Sequence, residues 1–242
     1  MTDAAPLAGI RVLDLSRVLA GPWVGQTLAD LGADVIKVER PGTGADTRAW
    51  GPPFFESAEG DERSAYFLAA NRGKRSICIN LADAEGQALV RGLAADVDIL
   101  IENYKAGDMD KRGLGYAALA EANPGLIYCS ITGFGLTGPL RDKPGYDFMI
   151  QGMAGLMSIT GEPGTGGGGP QKVGVALADV LTGLYSTIAI LAALNERRES
   201  GRGQSIDMSL LDVQVATLAN QATNYLVSGV APDRLGNAHP NI

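Results

Sequence analysis

Ile10–Glu39 reads IRVLDLSRVLAGPWVGQTLADLGADVIKVE. Ile10–Leu15 is a short apolar run, Gly21-Pro22 opens a helix-like stretch to Leu31, and Asp34–Glu39 alternates as a strand. Further along, Arg75–Leu81 reads as a strand, and Asp83 is placed to cap a helix running to Ala95. Val97–Ile101 and Leu126–Ile131 are two more strand-like runs, with a short helical piece at Tyr116–Glu121 between them. Strands that are apolar almost throughout and alternate with helices predict a parallel sheet covered on both faces. The expected fold class is therefore α/β: a Rossmann-like large domain whose mostly parallel sheet is covered by helices.

After Gly145 the pattern changes. Gly164–Gly169 (GTGGGG) reads as a flexible loop, and a long apolar helix follows it, ending at Gly201-Arg202-Gly203. Ser205–Met208 is expected as a last strand and Leu210–Val227 as one long helix. Residues 1–208 are thus expected to form the large domain, and 209–242 a linker helix at the start of a smaller second domain. The closing stretch Gly236–Ile242 is loop-like, which gives the expectation that the sequence is part of something longer.

Composition narrows the function classes. A hydrophobic content of 45% is ample for a core, and a net charge of −7 argues against a nucleic-acid partner or a polybasic membrane patch. Cys78 and Cys129 lie in separate strand-like runs and are expected to be small buried hydrophobes in a reducing compartment. Met1–Pro6 has neither a basic start nor an apolar stretch, and the apolar run Leu181–Leu194 is expected to be too short for a membrane span. A soluble, cytoplasmic protein is the expectation. The single histidine, His239, removes zinc sites of the usual kind and most Ser-His or Cys-His schemes, and no metal is expected.

One carboxylate stands out. Asp179 ends the run Val173–Ala178 and precedes Val180–Leu194, a segment so apolar all round that it should be buried. Buried aspartate is rare unless it is paired, capped or used. Asp179 is either a helix-start residue whose charge is favoured by free backbone N–H groups, or a partly desolvated nucleophile held by those same groups. The two readings are compatible, and this residue by itself does not choose between them.

Two glycine motifs are poor guides. Gly133–Gly138 (GFGLTG) matches GxGxxG after a strand, but Pro139 and Pro144 break the helix a dinucleotide site needs, and no acid follows at the required distance. The GTGGGG loop lacks the Gly-Lys-Ser/Thr ending of a phosphate loop, and is expected to be a mobile turn or lid. Basic residues recur at Lys37, Arg40, Arg48, Arg72, Lys74, Arg75, Lys105, Lys111 and Arg112. Each alone would be a solvated charge; as a set in an acidic protein they suggest a phosphate-bearing ligand near strand ends.

Leu7–Arg48 resembles the start of the family III CoA-transferases, and the likeness continues in order through 71–76 (NRGKRS), Glu102-Asn103-Tyr104, 130–135 (SITGFG), Gly145-Tyr146-Asp147, and the block from Ala178-Asp179 to Gln204. The resemblance implies transfer of CoA from an acyl-CoA thioester to a carboxylic acid acceptor, through an aspartyl anhydride and an aspartyl-CoA thioester on Asp179. Such chemistry needs a carboxylate nucleophile, N–H donors for the oxyanions and exclusion of water. It further implies that Val18, Leu19 and Ala20 line the thioester region. Arg40, Ile79, Asn80, Leu81, Ala82, Asn103, Tyr104, Lys105, Lys111 and Lys143 would hold coenzyme A, with Tyr146 as an active-site tyrosine. No tightly bound cofactor is implied, coenzyme A thioester being substrate.

Formyl-CoA transferases carry glutamine where this chain has Leu19, which points to an acyl group other than formyl or oxalyl. The related α-methylacyl-CoA racemases carry histidine where this chain has Tyr146, a phenol too weakly basic at neutral pH for that proton-transfer role. Proton transfer of the racemase type, or a CoA-binding piece without turnover, are the alternatives. For a full-length member the resemblance implies an interlocked homodimer.

Overall fold

The computed structural model describes residues 5–242 except 59, 61, 165 and 166. Part of the GTGGGG loop, Thr165 and Gly166, therefore lies outside the described residues. The chain runs β1 (Arg11–Asp14), α1 (Ala20–Asp30) and β2 (Asp34–Glu39), then a single 3-10 turn at Asp46–Ala49. A small antiparallel hairpin follows, β3 (Phe54–Glu56) and β4 (Glu62–Ser64), and then α2 (Ala65–Ala69). Next come β5 (Lys74–Cys78), α3 (Ala84–Ala94), β6 (Ile99–Glu102), α4 (Asp108–Lys111), α5 (Tyr116–Ala122) and β7 (Ile127–Thr132). The last part holds α6 (Asp147–Met153), α7 (Leu156–Ile159), α8 (Leu177–Ser200), β8 (Ser205–Ser209), α9 (Leu210–Ala216) and α10 (Asn220–Ser228).

Six strands pair in parallel in the order β5-β2-β1-β6-β7-β8. Alternate residues of each strand enter opposite cores. Val12, Ile99, Ile101 and Ile127 pack with Val24 and Leu28 of α1 and with Ile190 and Leu194 of α8. Leu13, Leu100 and Tyr128 pack with Val90 of α3 and Leu119 of α5. This double coverage is why the strands read as continuous apolar runs. From β1 the chain winds outward to β2 and then returns to β6 on the other side. The strand order therefore reverses between β1 and β6, and the carboxyl ends of those two strands open a crevice of the kind that holds ligands in open α/β sheets.

Several expectations are corrected. β5 ends at Cys78, so Ile79–Ala82 form the loop at its carboxyl end. β5 is the edge strand, and Cys78 is exposed there; Cys129, in interior β7, is buried. Asp83 holds the N-cap position of α3 without a cap bond, its carboxylate accepting instead from Asn80 Nδ2 at 2.6 Å. The predicted single helix over Leu210–Val227 breaks after Ala216, where the Thr217 hydroxyl donates to Gln214 O at 3.0 Å, a local bond that competes with helix continuation. Leu210 joins the main core and Val213 is buried, whereas α10 has no buried residue.

α8 is longer than its apolar run suggested. It has 24 residues and contains an 18-residue stretch of mean hydropathy 1.8, long and apolar enough by length and composition to cross a membrane. Here it lies across the sheet against α1, β7 and β8. Gly183 makes the crossing with α1 possible, since a Cβ there would stand 3.0 Å from both Ala20 O and Trp23 Cβ. Gly201, at φ 70°, ends the helix in the left-handed conformation that favours glycine. Burial is one-sided: Ile190 and Leu194 are inside, while Leu184, Tyr185 and Ile188 are exposed.

Candidate active site

Two loops meet at the crevice. The loop after β1 carries Arg17–Leu19, and the loop after β6 carries Asn103–Ala106. Asn103 joins them twice: its Oδ1 accepts the Arg17 N–H at 2.8 Å, and its Nδ2 donates to Arg17 O at 2.7 Å. Next to this clamp Val18 sits at φ 69°, a left-handed conformation that a β-branched residue adopts only when its surroundings impose it. Below the loop is a buried ionic cluster. Asp14 Oδ2 lies 2.8 Å from Lys74 Nζ and 4.0 Å from Lys37 Nζ, and Lys37 donates to Ser16 O at 2.9 Å. Burial works to raise the Asp14 pKa, but the two lysines outweigh it and hold the carboxyl below its usual range. Burial pushes Lys74 the other way, down to about 8.

Asp179 is in the first turn of α8 and only partly buried. It borders a cleft of about 170 Å³ shared with Arg17, Val18, Leu19, Ala20, Asn103, Tyr104, Lys105, Lys143 and Tyr146. A second cavity of about 180 Å³, lined by Arg40, Ile79, Asn80, Leu81, Ala82 and Arg112, continues it, with Arg17 and Tyr104 on the walls of both. Two guanidinium groups approach the Tyr104 ring, Arg17 at 4.9 Å and Arg112 at 5.8 Å from its centroid. The structure thus brings every named candidate to one continuous groove except Lys111. That side chain is exposed, 3.4 Å from Asp108, and the neighbouring Arg112 reaches the groove instead.

The sequence reading set the Asp179 carboxylate against free N–H groups at the start of its helix, and the structure engages those groups elsewhere. Leu177 N–H donates to Val175 O, Val180 N–H to Ala176 O, and the N–H groups of Ala178 and Asp179 both donate to Asp147 Oδ1, at 2.8 and 3.4 Å. None is left for the Asp179 carboxylate. Burial first, and then the Asp147 charge, push the Asp179 pKa up to about 7. The first turn of α1 differs. Among the described residues the amides of Ala20 and Gly21 have no acceptor, and that end of the helix borders the cleft at Ala20.

Most of the basic residues noted as a set are engaged inside the protein. Arg48 makes a bidentate pair with Glu39 at 2.7 Å, Arg72 binds Asp30, Arg75 binds Asp34, and Lys37 and Lys74 serve Asp14. Arg40 (paired with Asp46), Lys105 and Arg112 remain on the groove. Two contributors were missed by sequence reasoning. Arg17 had no motif to mark it. Asp147 was visible only as a neighbour of Tyr146 in the Gly145-Tyr146-Asp147 match.

The profile of CoA-transferase family III matches residues 7–242, and the chain belongs to that family. It is 63% identical over 238 residues to the succinate–glutarate CoA-transferase of Agrobacterium fabrum, covering 98% of this chain and 59% of that protein. It is 48% identical over 242 residues to the succinyl-CoA:glutarate CoA-transferase of Homo sapiens, covering 100% and 53%. A crystal structure of a CaiB/BaiF family protein from Brucella suis superposes with a TM-score of 0.94 at 60% identity, covering 99% of this chain and 62% of that one. The chain spans between half and three-fifths of the length of these curated relatives.

Proposed function

We propose that the protein transfers coenzyme A from an acyl-CoA to a carboxylic acid, with Asp179 as the covalent carrier. The observation that carries this reading is the position of Asp179: a partly desolvated carboxylate of raised basicity, bordering a groove at the strand-order reversal that basic side chains also line. A carboxylate oxygen of Asp179 attacks the thioester carbonyl carbon. A C–O bond forms, the C–S bond breaks, and CoA thiolate leaves a mixed anhydride behind. The thiolate then attacks the aspartyl carbonyl, releasing the donor acid and leaving an aspartyl-CoA thioester. The acceptor carboxylate repeats the first step on that thioester, and the thiolate finishes on the acceptor's carbonyl, freeing Asp179.

The free amides of Ala20 and Gly21 are the donors suited to the oxyanions of these steps. Arg40, Arg112, Lys105 and Lys143 suit the nucleotide phosphates. Leu19, buried at the cleft, presents an apolar contact to the acyl chain. The activities named for the relatives support succinyl-CoA as donor and a C5 dicarboxylate, glutarate, as acceptor.

The test is to incubate the protein, as it is made in the cell, with succinyl-CoA and quench with hydroxylamine. Mass spectrometry of the peptide carrying Asp179 should show a hydroxamate that depends on succinyl-CoA. An unmodified peptide, or a hydroxamate on another carboxylate, refutes the assignment.

A further inference from the structure

A carboxylate in the first turn of a helix is ordinarily steadied by free N–H groups and by the helix dipole. For a nucleophile that is a handicap, because the stabilised anion is the reactant state. The structure removes it. Asp147, from α6, puts its Oδ1 on the N–H groups of Ala178 and Asp179 and so takes the place the Asp179 side chain would otherwise fill. Its other oxygen accepts Gln151 Nε2 at 2.8 Å, one turn along α6. Gln151, fully buried, fixes the approach to α8 by accepting the Val173 N–H at 2.9 Å.

We infer that Asp147 is a positioning residue for Asp179: it occupies the α8 amides, and its negative charge beside the nucleophile favours the states in which Asp179 is uncharged, the acylated ones among them. The inference rests on the covalent role proposed for Asp179. In the first step the charge on Asp179 leaves with the CoA thiolate, so the repulsion between the two carboxylates is relieved as the C–O bond forms and the C–S bond breaks. An amide at position 147 would keep the hydrogen bond to α8 and lose that relief.

Other groups face Asp179, and none duplicates this one. Arg17, Tyr104, Lys105, Lys143 and Tyr146 line the same cleft, as do Arg141 and Asp142, which pair with each other at 3.6 Å with Asp142 exposed to solvent; Tyr66 of α2 feels the charges of both Asp179 and Asp147. Of the charged or titratable groups on the elements packed against α8, Asp30 of α1 is bound by Arg72, Asp207 of β8 accepts the Leu136 N–H at 2.9 Å, and Tyr128 of β7 donates to Leu114 O. Cys129 of β7, buried, and Asp212 of α9, whose N–H donates to Ser209 Oγ, complete that set. Among the described residues only Asp147 places its carboxylate on the amide of Asp179 itself.

The experiment is a direct titration of the Asp179 carboxyl by carbon-13 NMR in protein labelled at aspartate, assigned by its loss in Asp179→Asn. Asp147→Asn should lower the Asp179 midpoint by about one pH unit, from removal of a like charge alone. Asp147→Glu, which keeps the charge, should leave it raised. If Asp147→Asn fails to fold, Asp147→Ser, also neutral, is read the same way. A midpoint unchanged in the neutral variants overturns the inference, because a purely structural cap would leave it there. The titration needs no turnover, so it is decided separately from hydroxamate trapping, which decides the covalent role.

Discussion

The clamp between Asn103 and Arg17 predicts an unusual double-mutant cycle with Val18. Asn103→Ala deletes two part-buried hydrogen bonds, each worth about 1 kcal/mol net, and so removes about 2 kcal/mol. It also frees the loop, and Val18 can leave φ 69° and recover strain of about 1–3 kcal/mol. The net effect of Asn103→Ala is then close to zero, within about 1 kcal/mol of either sign. Val18→Gly in the intact protein releases the same strain, since glycine is at ease at positive φ. Against that stand about 1 kcal/mol for half-buried apolar surface and about 1 kcal/mol for a more flexible unfolded chain, so the change is close to neutral. In the Asn103→Ala background no strain is left to release, and Val18→Gly should cost about 2 kcal/mol. The assay is urea unfolding of the four proteins, with a coupling energy near 2 kcal/mol as the expected result. Additivity within about 0.5 kcal/mol, the behaviour of independent sites, would refute the claim that Asn103 holds Val18 under strain.

Asp179→Asn should abolish covalent trapping while raising stability at neutral pH. The folded-state pKa of Asp179, about 7, lies above that of an ordinary aspartate, about 4, so folding takes up a proton between those limits and stability falls as pH rises through them. Discounted for the partial exposure of the group, the variant should gain about 1–2 kcal/mol at pH 8 and nothing at pH 3.5, read by chemical denaturation at each pH; equal stability at both refutes the burial of charge. For the groove, Arg112→Ala should weaken CoA binding about tenfold by isothermal titration, the loss of one charge-assisted contact, and Lys111→Ala should leave it unchanged. The reverse ranking would move the nucleotide off the cavity beside Tyr104.

The fold was legible because its signal is local. Each interior strand is apolar on both faces, so the β1-α1-β2 stretch alone indicates a covered parallel sheet. Asp179 was legible for a related reason, a charge set against a run of apolar side chains. What escaped is what depends on pairing across distance. Lys37 and Lys74 look like surface lysines until the sheet sets them both against Asp14. Lys111 and Arg112 are adjacent in sequence, and only the turn of α4 decides which one reaches Tyr104. The break between α9 and α10 has no glycine or proline to announce it, only Thr217 bonding back to Gln214.

The two helix starts at the cleft show why composition could not settle the chemistry. Both α1 and α8 begin beside the same groove, and a sequence reading naturally couples Asp179 to the amides of its own helix. In the folded chain the amides of Ala178 and Asp179 are spent on Asp147, while among the described residues the amides that stay free belong to α1. On the proposed covalent route, α8 would then carry the nucleophile and α1 the donors for the oxyanion. A carboxylate that received its own helix's N–H bonds would be a stable anion and a poor attacking group. Separating donor from nucleophile across two helices would let one cleft hold an oxyanion tightly and a carboxylate loosely, the asymmetry that the proposed covalent exchange on an aspartate requires.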